Sequence, residues 1–86
     1  MSKDVTIYTQ EFCGYCARAK ALLKRKGVAF TEIDVTYDPE QRKVMKERSN
    51  GGRTVPQIFI GTTHVGGSDD LHALDAAGKL DGLLAS

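Results

Sequence analysis

Cys13 and Cys16, separated by Gly14 and Tyr15, are the side chains of this 86-residue chain whose type and spacing point most directly to chemistry. They fall where an apolar β-branched run, Val5, Ile7 and Tyr8, gives way to a stretch rich in Ala, Leu, Lys and Arg, the switch from strand to helix period. Thiols three residues apart at a helix start can close on each other. A thiolate there meets the helix's unpaired N–H groups and the positive end of its dipole, and the thiolate, not the thiol, is the nucleophile. Cys13 is therefore expected to be the exposed nucleophile. Cysteines of C-x-x-C motifs titrate between ~3.5 and ~7.5 against ~8.5 for a free thiol, so Cys13 should be largely ionised at neutral pH. Cys16, a turn deeper, should remain a thiol. Two packing cysteines would not need this spacing. A zinc site is disfavoured because His64 and His72 are eight residues apart and distant from the thiols.

The elements that must position the pair alternate along the chain. A first strand covers Val5 to Tyr8, and a helix follows from the Cys pair, with Ala19, Leu22 and Leu23 on one face and a stop at Gly27. Val28 to Val35 reads as a second strand. Asp38-Pro39-Glu40 supplies an N-cap, a proline for the first helical position and an early acid, opening a helix to about Ser49 that Asn50-Gly51-Gly52 ends. Pro56 to Ile60 is a buried-type strand, Gly61-Thr62-Thr63 turns a hairpin, and His64 and Val65 begin its partner. Ser68-Asp69-Asp70 caps a helix through Ala77, followed by a short apolar tail with Leu80, Leu83 and Leu84. The order βαβαββα implies a parallel crossover followed by an antiparallel hairpin, hence an α/β fold with a small mixed sheet of four strands flanked by helices.

Composition narrows the class. With 41% hydrophobic residues and 86 residues, the chain reads as one domain, 1–86. A net charge of +1 gives no global drive toward nucleic acid or membrane. The cations of the first helix, Arg18, Lys20, Lys24, Arg25 and Lys26, read as a solvated face that complements the helix dipole. Nothing resembles a signal peptide or a membrane span, so a reducing cytoplasmic location is the expectation. In that compartment two cysteines are catalytic or metal-binding rather than scaffold.

Taken together, Cys13-Gly14-Tyr15-Cys16, Thr54-Val55-Pro56 and Gly66-Gly67-Ser68-Asp69-Asp70-Leu71 resemble the motifs of dithiol glutaredoxins of the small bacterial type, and the resemblance runs essentially end to end. The absence of Trp and the presence of Tyr15 inside the motif point away from thioredoxins. The resemblance implies a thioredoxin fold and a glutathione-disulfide oxidoreductase, glutathione being co-substrate and electron donor and glutathionylated or disulfide-bonded proteins the partners. It implies that Cys13 takes up glutathione from the substrate and that Cys16 resolves protein disulfides. It also implies a cis bond before Pro56, with the Val55 backbone pairing with the cysteinyl part of glutathione like a neighbouring strand. Thr54 belongs to the same loop. Ser68 and Asp69 would hold the γ-glutamyl end, where helix N–H groups attract a carboxylate and Asp69 pairs with the ammonium. Gly67 would let the backbone approach the ligand, and Tyr15 would wall the groove.

Three departures from the family pattern matter. Gln10 stands where members commonly carry Lys, so the cation for the glycine carboxylate must come from Arg42, Lys43 or Arg53. Ser68 replaces a frequent third cysteine. Gly14 replaces the usual proline, restoring an N–H and freeing the helix start. That last change motivates a second expectation. The chain would be a carrier in which Cys13 from each of two protomers and two glutathione thiols ligate a [2Fe–2S] cluster, four thiolates being what such a cluster requires. The enzyme form is expected to be a monomer, the cluster form a bridged dimer.

Overall fold

The structure, a computed structural model, describes residues 4–52 and 54–85. Its elements are β1 (Val5–Thr9), α1 (Gly14–Arg25), β2 (Thr31–Asp34), α2 (Pro39–Arg48), β3 (Gln57–Ile60), β4 (Thr63–Gly66), α3 (Ser68–Ala76) and α4 (Leu80–Leu84). The four strands form one mixed sheet in the order β2-β1-β3-β4, with β1 parallel to β2 and antiparallel to β3, and β3 antiparallel to β4. None of the described helices is long and apolar enough to cross a membrane.

Strand alternation divides the core in two. Val5 and Ile7 of β1 join Ile58 and Ile60 of β3 against Ala19, Leu22 and Leu23 of α1, Leu71 of α3, and Leu80 and Leu84 of α4. Tyr8 and Phe59 face the other way, onto Met45 of α2 and Val35. Helices thus cover both sides of the sheet. Each fully buried Leu or Ile contributes roughly 1.5–3 kcal/mol. Tyr8, 1% exposed, keeps its hydroxyl satisfied by Arg48, whose Nη1 donates to it at 3.0 Å.

The helix ends follow the expected chemistry with one exception. Asp38 Oδ1 accepts from the Gln41 N–H at 3.0 Å, with Pro39 at the first helical position. Gly27 takes the left-handed φ of +71° just past α1. The exception is α3. Its N-cap is Gly67, not Ser68, because Asp70 reaches back and its Oδ2 accepts the Gly67 N–H at 3.0 Å. Ser68, 3% exposed, turns its hydroxyl toward His72 Nδ1 at 3.4 Å instead.

Three other expectations change. β2 is shorter than Val28 to Val35, since its pairing with β1 runs only from Thr31 to Asp34, and Val28 and Phe30 pack onto the core from outside the ladder. The hairpin turn is the two residues Gly61 and Thr62, Ile60 pairing with Thr63. The apolar tail is a helix, α4, whose Leu80 and Leu84 complete the core.

Lys26 ties this C-terminal helix down. Its Nζ lies 2.6 Å from Asp75 Oδ1 at the end of α3 and 3.0 Å from Asp81 Oδ1 in α4. The hydrogen bond to Asp75 and then that to Asp81 raise the ammonium above its ordinary range, and the Lys26 partner lowers the Asp75 carboxyl. A depressed carboxyl stabilises the fold above its unfolded pKa and loses that as pH falls through the folded one. A raised ammonium stabilises it below its unfolded pKa and loses that as pH rises through the folded one. The contribution therefore spans the middle of the pH scale. Lys26→Met is expected to lower Tm by a few degrees at pH 7, the gap from wild type closing at strongly acidic and strongly alkaline pH; calorimetry across pH checks it, and a gap that does not vary with pH refutes the ionic origin.

Candidate functional site

Cys13 is the N-cap of α1. Its backbone is extended (φ −104°, ψ 107°), and its carbonyl accepts the Ala17 N–H at 3.2 Å. Its Sγ receives the Cys16 N–H at 3.2 Å, so one of the helix's orphan donors points at the sulfur. On the other side, Sγ lies 3.9 Å from the carbonyl oxygen of Val55, to which the thiol form donates. The Val55–Pro56 bond is cis. Cys13 is part-exposed, whereas Cys16 is 2% exposed. Both are free thiols. Burial, and then the hydrogen bond with Cys13, push the Cys16 thiol up to about 12, outweighing the Gln10 backbone and Lys20, which pull it down.

Topology explains the meeting. Tyr8 pairs with Gln57, so the loop entering β3 comes alongside the loop leaving β1, and β4 returns antiparallel to β3 with Ile58 opposite Gly66. The starts of α1, β3 and α3 therefore share one edge of the sheet. A groove of about 520 Å³ runs along that edge, lined by Tyr15 from α1, Thr54, Val55 and Pro56 from the loop before β3, and Gly67, Ser68 and Asp69 from the start of α3. All seven residues assigned to ligand binding from the sequence line this one hollow. Tyr15, 57% exposed, forms its α1 wall. A second groove of about 560 Å³ lies on the other side of Cys13, lined also by Cys16, Lys20, Glu32 and Asp34. In it Glu32 accepts from Thr9 Oγ1 at 2.7 Å and Lys20 Nζ at 3.0 Å, which together hold its carboxyl below the usual range.

Among the described residues, the expected cation that meets Gln10 is Arg42: its Nη2 donates to Gln10 Oε1 at 2.8 Å and to the Val35 carbonyl at 3.5 Å. Lys43 instead lies with Lys46 and Glu47 around a separate hollow on α2. Arg53 is outside the described residues. Gly14 is the first residue of α1, and a Cβ there would meet nothing within 4 Å, so the fold does not demand glycine. Sequence reasoning missed Gln57, His64 and Gly52, which also line this groove of Tyr15, Val55 and Asp69. The available signal was Gln57, an amide opening the otherwise apolar Ile58-Phe59-Ile60 strand.

The glutaredoxin family model matches residues 5–65. The chain belongs to the glutaredoxin family. It is 58% identical over 82 residues to the glutaredoxin of Pseudomonas aeruginosa, covering 95% of this chain and 96% of that one. Its fold matches the solution structure of glutaredoxin from Brucella melitensis with a TM-score of 0.83 at 61% identity, over 96% of this chain and 89% of that one. A buckwheat glutaredoxin–glutathione complex matches equally well, TM-score 0.83, at 30% identity over 93% of this chain and 74% of that one. The family's chemistry is thiol–disulfide oxidoreduction, and a dithiol at a helix start is the equipment for it.

The raised Cys16 thiol has a direct consequence. In a Cys13→Ser chain, the remaining thiol is expected to alkylate with iodoacetamide at pH 8 far more slowly than an ordinary ~8.5 thiol. Mass spectrometry over time checks this, and rapid modification would show that burial does not protect it.

Proposed function

We propose that the chain is a glutathione-dependent oxidoreductase that reduces glutathionylated proteins and protein disulfides. The observation that carries this reading is the groove that ends at Val55, whose carbonyl lies 3.9 Å from Cys13 Sγ, with the N-terminus of α3 at its far end. A tripeptide with a thiol in the middle and an α-amino acid at one end fits that order. The buckwheat relative, known in complex with glutathione, supports it.

In the first step Cys13 thiolate attacks the glutathione sulfur of a protein–glutathione disulfide. The old S–S bond breaks, a Cys13–glutathione disulfide forms, and the protein leaves as thiolate, to be protonated by water. The Cys16 N–H meets the sulfur on which charge resides before attack. Val55 pairs with the cysteinyl backbone, Ser68 and the α3 N–H groups take the γ-glutamyl carboxylate, and Asp69 takes its ammonium. Arg42, held by Gln10, supplies the cation for the glycine carboxylate. A second glutathione thiolate then attacks the bound glutathione sulfur, releasing oxidised glutathione and restoring Cys13. For a protein disulfide, Cys13 forms a mixed disulfide with the protein, and Cys16 displaces the protein thiol by closing the intramolecular bond. That step requires Cys16 to give up its proton, and two glutathiones then return the pair to dithiol.

A second reading, the cluster carrier, is favoured by the surroundings of Cys13. Phe12, fully exposed with φ +57°, and Tyr15 flank the sulfur with apolar surface that a second copy would cover. Cys13 supplies one thiolate per protomer, so glutathione must supply the rest of the four. Because a side chain at Gly14 meets open space, Gly14→Pro isolates the effect of the missing proline. It is expected to reduce iron and sulfide retained after reconstitution with glutathione and shift the chain to a monomer on size exclusion, with disulfide reductase activity kept. A wild type that binds no iron under those conditions removes this reading.

Two pairs of variants test the enzyme. Cys13→Ser is expected to abolish reduction of a small glutathione mixed disulfide, while Cys16→Ser keeps most of it and loses protein-disulfide reduction; equal losses contradict the assigned roles. Asp69→Ala should raise the glutathione KM about tenfold or more, as for a charge-assisted hydrogen bond worth ~1.5–3 kcal/mol, with Tm unchanged. Asp70→Ala, which removes the cap on Gly67, should instead lower stability by about 1 kcal/mol with little change in KM. Steady-state kinetics and thermal melts on both variants separate the two carboxylates, and an unchanged KM in Asp69→Ala excludes it from the site.

A further inference from the structure

Gln57 opens β3 at 5% exposure, next to the three most apolar residues of the strand. A buried amide needs partners at both ends, since an unmet donor or acceptor carries its full desolvation penalty. Here one end lies 2.9 Å from the Thr54 carbonyl oxygen and 3.3 Å from Thr54 Oγ1, and the other 2.7 Å from His64 Nε2. A carbonyl only accepts, so the amide nitrogen must face Thr54 and the amide oxygen His64. The imidazole nitrogen facing that oxygen must then carry the proton, which sets the His64 tautomer to Nε2–H. The ring is held for this role. His64 sits opposite Phe59 in the β3–β4 pairing and stacks on it, centroids 4.9 Å apart and planes 28° apart. The other wall is tight as well, because a Cβ on Gly52 would stand 3.0 Å from Gln57 Nε2.

The contacts form one line, from the His64 ring through the Gln57 amide to the Thr54 carbonyl, and along the backbone to Val55, whose own carbonyl meets Cys13 Sγ. Gln57 has spent its polar atoms on His64 and Thr54, so it is not built to bind the ligand itself. We propose that Gln57, oriented by His64, is a positioning residue that sets the Thr54–Val55 backbone against the bound glutathione. The inference rests on the glutathione reading of the groove. It adds that the affinity of this groove is set partly by a strand-to-strand side-chain pair in its own wall.

Gln57→Glu is the sharpest variant. It keeps the size of the side chain and the acceptor that faces His64, but places an acceptor where Thr54 needs a donor. The glutathione KM is expected to rise about tenfold with kcat at saturating glutathione within about twofold, the pattern of lost ground-state positioning. His64→Phe, which retains the stacking ring and removes the donor, should move KM in the same direction by a smaller factor, and it carries the test if Gln57→Glu does not fold. On the wild type, 15N NMR of the imidazole above its titration should show Nε2 protonated and Nδ1 bare. An Nδ1–H tautomer, or a folded Gln57→Glu with unchanged KM in the presence of a saturable wild type, overturns the positioning role alone. A wild type with no saturable dependence on glutathione overturns the groove's reading and this inference with it.

Discussion

The whole arrangement depends on one sulfur held between two backbones. Cys13 Sγ has the Cys16 N–H on one side and the Val55 carbonyl on the other, the first from a helix start and the second from the loop before β3. The first contact is local to the start of α1, but 42 residues separate Cys13 from Val55. They meet because the β1–β3 register puts Gln57 beside Tyr8, and that register is set by burial: shifting it by one residue would turn Ile58 and Ile60 out of one core and Phe59 out of the other. Core packing thus determines the geometry of the reactive group to within a hydrogen-bond length.

The same arrangement makes the two thiols unlike. Cys13 is the cap and stands at the rim. Cys16, three residues on, faces the interior, where desolvation pushes its thiol up to about 12. A pair so divided favours attack by one sulfur on an external disulfide and makes internal closure the slower, conditional event, because the second sulfur must first lose its proton. The groove beside the pair has its own polarity, with the N-terminus of α3 at one end.

Much of this was legible in the sequence, for reasons that differ by residue. The C-x-x-C spacing, Asp38-Pro39 at a helix start and the apolar β3 run each carry a local physical signal, and each led to the element found. That Thr54, Val55 and Ser68 come together was legible only through resemblance, since nothing local says that a loop before β3 and a helix after β4 will line one groove. Where reasoning from single residues failed, a partner side chain had decided the matter. Ser68 looked like a cap, but Asp70 one turn on took the Gly67 N–H and left Ser68 to His72. The Leu80–Leu84 tail is a helix whose Leu80 and Leu84 join the core residues of α1 and α3, with Lys26 holding Asp81. The Gln10–Arg42 hydrogen bond joins residues 32 apart, and the sequence offered three cations for that role without a means of choosing among them.

The most direct test of the account is the structure of a Cys16→Ser chain carrying glutathione in disulfide linkage to Cys13. Glutathione should lie along the groove of Tyr15, Val55 and Asp69, its cysteinyl backbone beside Val55 and its γ-glutamyl end at the start of α3. A glutathione found in the opposite groove, against Lys20 and Glu32, or attached without ordered contact to either wall, would contradict it.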